Sequence, residues 1–181
     1  IAPGAVIELF TLSLNSTLHG DSTIYRFHNG ANLNANGEVV WDGNSYLRFP
    51  IECNGFEFGS TGTLPRPTIT ISNIFGTITT ILQDVNTTTV GNDLNGATLT
   101  RIRTLARFLD AVNFTGGTNP FGTPDPTAEF PQEIYILDRK VTENRSVVTW
   151  EAQSALDLVN VKLPKRIATR DIFPGIGAFL G

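Results

Sequence analysis

Two histidines, one cysteine and a scatter of carboxylates are the groups in these 181 residues that acid–base, nucleophilic or metal chemistry would draw on. His28 has the residue type of a general base and sits in Arg26-Phe27-His28-Asn29-Gly30. No Ser or Cys nucleophile is placed beside it by sequence, and a base works only with a partner in hydrogen-bond reach. It reads as a polar residue ahead of a turn. Asp125 and Glu129 are spaced as a carboxylate pair, but prolines flank them and an acid–base pair needs rigid spacing. A structural turn is the expectation. Asn92-Asp93-Leu94-Asn95-Gly96 lacks the closing acidic residue of a calcium loop and reads as a solvated turn. Cys53 has no second Cys for a disulfide. With only His19 and His28 as further soft ligands it makes no metal site, so a small buried hydrophobe is expected. No nucleophile elbow or phosphate-cradling loop is present. The chain is therefore not read as an enzyme, and no cofactor is expected.

One basic feature is concentrated. Arg101, Arg103 and Arg107 lie within seven residues, and if that segment is a strand the even spacing puts all three on one face. Two readings stay open: a solvated face carrying its own ion pairs, or a row of guanidinium forks for carboxylates on a neighbouring chain. The formal net charge is −4, without the basic face that nucleic acid selects, so no direct nucleic-acid contact is expected. The apolar runs are broken by Thr, Asn and Gly well short of a membrane span. The chain has no Met and begins at Ile1, and upstream residues are expected.

The elements that would position these groups are mainly strands. Asn29-Gly30, Asn36-Gly37, Asp42-Gly43, Asn54-Gly55 and Asn95-Gly96 carry tight-turn chemistry. Between such turns lie short β-branched and aromatic runs. Val6 to Leu14 alternates, with Val6, Glu8, Phe10, Leu12 and Leu14 opposed to Ile7, Leu9, Thr11 and Ser13. Ile24 to His28 is a second strand, Val39–Trp41 and Tyr46–Phe49 form a hairpin, and Thr68 to Ser72 alternates again. Ile74, Ile78, Ile81, Leu82 and Val85 then follow the stripe of one short helix, with Ser72 or Asn73 as its cap. Asn86 to Gly96 is polar and reads as a surface loop. Thr98 to Asp110 fits a helix or a strand, and strand is preferred. Thr115 to Pro131 holds four Pro and three Gly in seventeen residues. It reads as a long functional loop with Phe121 at its centre. Glu133–Leu137 and Ser146–Glu151 make a hairpin around the polar tract 138–145. The fold class is thus mainly β with a short helix, an antiparallel sandwich or barrel over residues 1–163. Residues 164–181 are an irregular apolar segment whose Phe173, Ile176, Phe179 and Leu180 are expected to dock on the chain's own core or on a partner.

The central blocks carry a resemblance. Phe49-Pro50-Ile51-Glu52, Gly55-Phe56-Glu57, Gly62-Thr63-Leu64-Pro65-Arg66-Pro67-Thr68 and Ser72-Asn73-Ile74-Phe75-Gly76 follow one another. Ala106 to Phe114, Asp125 to Pro131 and Asp138-Arg139-Lys140 come after them. In order and spacing they resemble the lambda-type phage minor tail protein L family over roughly Glu8 to Pro164. That resemblance implies a virion protein of the tail tip, assembled in the host cytoplasm, with a sandwich or barrel like those of tail-tube and tail-tip domains. It implies a ring adapter, a homotrimer, set between the distal tail protein ring and a central hub or tail-fibre protein. Arg101, Arg103, Arg107, Phe121 and the four apolar tail residues are its candidate interface. Several relatives carry a cysteine-rich C-terminal region resembling an iron–sulfur domain. Such a cluster takes four Cys and none follows Cys53, so either this protein lacks that region or the chain is a shorter piece of it. A second reading, of another class, is a carbohydrate-binding or host-recognition module with Trp41, Tyr46 and Trp150 stacked on sugars. Exposed aromatics would favour it, and buried ones a core. A peptidoglycan hydrolase would need an acid–base pair that is not identifiable.

Overall fold

Turn chemistry and β-branched runs resolve into nine strands in a computed structural model, which describes residues 2–30, 37–56, 65–74 and 76–154. In chain order the strands are β1 (Val6–Ser13), β2 (Ile24–His28), β3 (Glu38–Trp41), β4 (Asn44–Arg48), β5 (Ile51–Asn54), β6 (Thr68–Ser72), β7 (Thr98–Leu105), β8 (Glu133–Glu143) and β9 (Val147–Ser154). One helical turn, α1 (Ser16–His19), lies between β1 and β2, and one longer helix, α2 (Thr77–Thr88), between β6 and β7. The sheet order is β3-β4-β2-β1-β7-β8-β9-β6-β5. The expectation of a wholly antiparallel sheet needs one correction, because β2 and β4 pair in parallel. The Asp42–Gly43 turn, with both residues at positive φ, folds β3 back on β4. It is β4, not β3, that lands beside β2, so the two run the same way.

The segment 44–54 also curls the sheet on itself. Its first half, β4, pairs with β2, and its second half, β5, pairs with β6. Between them Pro50 has no N–H to offer a ladder. At this bend Phe49 N donates to His28 O (3.1 Å), and Ser72 N donates to Pro50 O (2.9 Å). The pairings therefore run in a cycle through β2, β1, β7, β8, β9, β6 and β5/β4, which is a barrel.

Two apolar layers follow from that cycle. Inside lie Phe10 and Leu12 of β1, Leu99 of β7, Leu137 of β8, Trp150 of β9 and Ile69 of β6. Ile78, Leu82 and Val85 of α2 close the same layer. Outside, Ile7 and Leu9 of β1 and Ile102 of β7 are covered by Val39, Trp41 and Tyr46 of the β3–β4 hairpin and by Leu109. The alternation read along β1 is thus apolar on both faces where the second layer covers it. It turns polar at Thr11 and Ser13, where that layer ends. The outer strand β3 is blocked by a side chain. Asn113 Oδ1 accepts from Val40 N and Asn113 Nδ2 donates to Val40 O, both at 2.7 Å. The amide stands in for a neighbouring strand on what would be an open edge.

The helix forms on the predicted stripe, with two differences. Ile74 lies outside it and is exposed. The C-terminal end runs to Thr88, so the first three residues of the expected loop 86–96 are helical. They belong to the helix's solvent side, where polar residues carry no apolar periodicity. Asn73 lies four residues before Thr77, and the N-cap position itself is Gly76, which makes no side-chain cap bond, yet Asn73 still ties down the first helical turn. Its Oδ1 accepts from Thr79 N (3.2 Å), while its Nδ2 donates to Thr79 Oγ1 (2.8 Å) and to Asn144 O (3.0 Å). The tract 138–145 also differs from the loop expected there: most of it is strand, with two register shifts in the β8–β9 ladder. Charged alternation on a half-exposed ribbon hides the period that apolar residues would show. The C-terminal segment, with Phe173, Ile176, Phe179 and Leu180, lies outside the described residues.

Asn73→Ala removes a buried side chain that joins α2 to the β8–β9 turn. The expected loss is about 1–2 kcal/mol. In urea unfolding it should appear as a lower midpoint with an unchanged slope; an unchanged midpoint would show that the helix start does not depend on this amide.

Candidate functional site

Alternation along β1 and β7 decides which charges meet. Glu8 lies opposite Arg103 and Phe10 opposite Arg101 in the β1–β7 register, while Arg101 lies opposite Glu133 where β7 meets β8. All four charged side chains therefore rise from one face, in line with the interior layer but beyond its apolar end. Arg101 Nη1 donates to Glu133 Oε2 (2.9 Å) and its Nη2 to Glu8 Oε1. Arg103 Nη2 donates to Glu133 Oε1 (2.8 Å). Glu133 thus bridges the two guanidiniums. Burial works against the charge of Arg101, but the bonds to Glu133 and Glu8 outweigh it and raise its pKa. Rings cover the seam: Arg101 lies 4.5 Å from the Phe56 centroid and Arg103 5.6 Å from that of Phe130. The Nε of each arginine is buried without a hydrogen-bond partner among the described residues.

The three arginines do not form one row. β7 ends at Leu105, and Arg107 falls in the single-turn helix Ala106–Phe108. There its guanidinium stacks 4.7 Å from the Phe108 ring. Of the two readings left open for Arg101 and Arg103, the structure supplies intrachain carboxylates for both. Sequence reasoning missed those carboxylates, Glu8 and Glu133. A signal existed in Glu8, a charge set among Val6, Phe10 and Leu12 on an otherwise apolar strand face.

The Pro-rich segment 115–131 is irregular apart from one 3-10 turn, Thr115–Gly117, and an isolated bridge between Thr104 and Glu129. It is nonetheless pinned. Phe130 N donates to Arg103 O (2.8 Å) and Asp125 N to Phe108 O (3.1 Å). Thr104 Oγ1 donates to Ala128 O (2.7 Å). The buried Asn119 gives its amide hydrogens to Arg107 O (2.9 Å) and Leu109 O (3.0 Å). Phe121 packs edge-on against Phe114, with centroids 5.7 Å apart, and stays about one-third exposed at 36%.

The remaining candidates are structural parts. His28 is fully buried, with its Nδ1 accepting from Gly30 N (3.2 Å) and its Nε2 3.0 Å from Gly37 O. Burial is the main cause that lowers its pKa, so it stays neutral with both nitrogens engaged. Asp125 Oδ1 accepts from the amide and the hydroxyl of Thr127, and these bonds hold its carboxyl below the usual range. A general acid needs the opposite shift. Glu129 accepts from Gln132 Nε2 (2.8 Å). In the 92–96 turn, Asp93 is held by Asn86 (2.9 Å) and Lys140 (2.8 Å), and its carbonyl accepts from Trp150 Nε1 (2.9 Å). Cys53 packs against the interior layer, and burial pushes its thiol up to about 12. Trp41, Tyr46 and Trp150 are all buried. The sugar-stacking reading that rested on these three aromatics is corrected accordingly, since none presents a ring to solvent.

A family model described as Phage minor tail protein L matches residues 17–175. Tail tip protein L of Escherichia phage lambda is 42% identical over 93 residues, which make up 51% of this chain and 37% of that relative. The chain therefore covers little more than a third of that relative's length.

Two outcomes follow from this geometry. Glu133→Ala leaves two half-buried guanidiniums competing for Glu8, and is expected to cost about 1–3 kcal/mol, below the range for fully buried pairs because the seam is partly exposed. Glu8→Ala breaks a single bond at the exposed rim and is expected to cost under about 1 kcal/mol. Equal losses in denaturant titration would contradict the bridging role. His28 has a folded-state pKa below its ordinary value of 6.5, so the unfolded chain takes up that proton first. Its contribution is complete above pH 6.5 and is lost as pH falls from there toward the folded value. Unfolding midpoints measured across that interval should decline for the native chain, and His28→Gln should flatten the decline.

Proposed function

The chain belongs to the phage minor tail protein L family, and we propose that it works in the virion at the tail tip, as one subunit of a ring that adapts the distal tail tube to the central hub. The observation that carries this reading is how the barrel uses its polar groups. Among the described residues the charged seam is neutralised within the chain, and His28 and Asp125 are occupied by backbone and side-chain bonds. Polar groups held in this way support the reading of a framework. A framework that joins two different rings needs rigid surfaces more than reactive ones, and the pinned segment 106–131 offers one. Val112 and Phe121 are exposed along it, apolar side chains of the kind that mark contact with other proteins.

The proposed partners are the distal tail protein ring, a central hub or tail-fibre protein, and further copies of the same chain, three in all. Contacts within such a ring are heterologous and close by rotation. Assembly takes place in the host cytoplasm before the tail is complete. The likeness to the lambda relative, a tail tip protein, supports the position. The threefold ring and the hub contact go beyond that name.

Quantitative mass spectrometry of purified virions tests the proposal by counting this chain against the major tail protein. About three copies per particle is the expected result. Dozens of copies would make it a tube subunit, and its absence from particles would remove it from the tail tip.

A further inference from the structure

At the end of β7 the barrel carries a hollow of about 190 Å³ lined by Leu105, Phe108, Ala128, Glu129 and Phe130. Val6 lies opposite Leu105 in the β1–β7 register. Val6 and Phe130 are 53% and 44% exposed, so exposed apolar side chains stand at the hollow. We propose that this hollow takes an apolar side chain of the chain's own segment 173–180, Phe-Pro-Gly-Ile-Gly-Ala-Phe-Leu, and so anchors that segment to the barrel. The proposal does not depend on the ring-adapter reading.

Three observations select that occupant. The first is direction. β9 and β7 are both antiparallel to β8 and so run the same way. Ser154, the last described residue, stands opposite Tyr135, and Tyr135 stands opposite Leu99. The chain therefore leaves β9 heading toward the end of the barrel where Leu105 and the hollow lie. The second is reach. From the level of Leu99 to that of Leu105 is six residues of strand, about 20 Å, and two strand spacings across add about 10 Å. Residues 155–172 span up to about 60 Å when extended, so the apolar segment arrives with length to spare. The third is chemistry. The segment brings Phe173, Ile176, Phe179 and Leu180 on a backbone kept slim by Gly175 and Gly177. The hollow is walled chiefly by two phenylalanines, a leucine and an alanine, and burying such side chains together is favoured by the area withdrawn from water.

Cross-linking within the full chain tests this seat. Ala128→Cys and Ala178→Cys are introduced together and treated with a short bismaleimide at neutral pH, and products are mapped by mass spectrometry. Cys53 remains as a slow site because its thiol is held protonated. A reference chain carries Val90→Cys with Ala178→Cys. Val90 is 93% exposed and sits in the loop before β7, at the opposite end of that strand. The expected result is a cross-link within one chain between positions 128 and 178, about tenfold above the reference pair, that falls to the reference level when Phe130→Asp is added. Equal yields for the two pairs, or a 128–178 product that joins two chains, would overturn it.

Discussion

Leu9 and Phe10 are neighbours in sequence, point to opposite sides of β1, and are both buried. That double burial is the constraint on which the rest of the molecule depends. A strand apolar on both faces must have a layer above it, a layer below it and a partner on each side. The layer on one side is the barrel interior closed by α2. The layer on the other is the β3–β4 hairpin with Ala106 and Leu109. The flanking partners are β2 and β7. Once β7 is fixed against β1, its own alternation lifts Arg101 and Arg103 to the interior-facing side, beyond the reach of the apolar packing. Their guanidiniums then require Glu133 and Glu8. The charged seam is a consequence of packing two strands whose apolar pattern runs out before their hydrogen bonding does.

Local chemistry made much of this legible. Ile24–His28 and Thr68–Ser72 were bounded as read, and the Asp42–Gly43 turn sits where its residue types require positive φ. The stripe of α2 was visible because Ile78, Leu82 and Val85 share one face. What stayed hidden was set at a distance. Closure of the sheet rests on Pro50 and two backbone bonds to strands far away in sequence, and no periodicity encodes that. The parallel β2–β4 pairing depends on which arm of a hairpin reaches β2. The polar half of β8 had no apolar rhythm to mark it. At the candidate site, the arginines stood out by composition, whereas Glu133 gained its meaning only when β8 came alongside β7. Arg107 was grouped with the other two by spacing, yet the chain turns out of the strand at Ala106.

The Pro-rich segment shows that irregular backbone and ordered backbone are compatible. Prolines deny it a ladder, and it substitutes single bonds to β7 and to the turns that follow it, through Thr104, Asn119 and Phe130. The same device blocks β3, where Asn113 takes both bonds a neighbouring strand would take. Side-chain amides and hydroxyls thus complete a backbone network that the strands leave open. Such surfaces are kept stiff without extending the sheet into them.

The pairing of β1 with β7 sets the order of events on the ribosome. Phe10 waits for Arg101, about 90 residues later in synthesis, which at about 5–20 residues per second is roughly 5–20 s. During that interval β1 can pair with β2, and the β3–β4 hairpin and α2 are already made, but its other edge has no partner and Ala106 and Leu109 of its outer layer are still to come. The nascent chain therefore emerges with its stickiest strand first and that strand's second partner late. That is the circumstance in which a host chaperone, or slow translation of the intervening stretch, governs how much protein reaches the folded barrel.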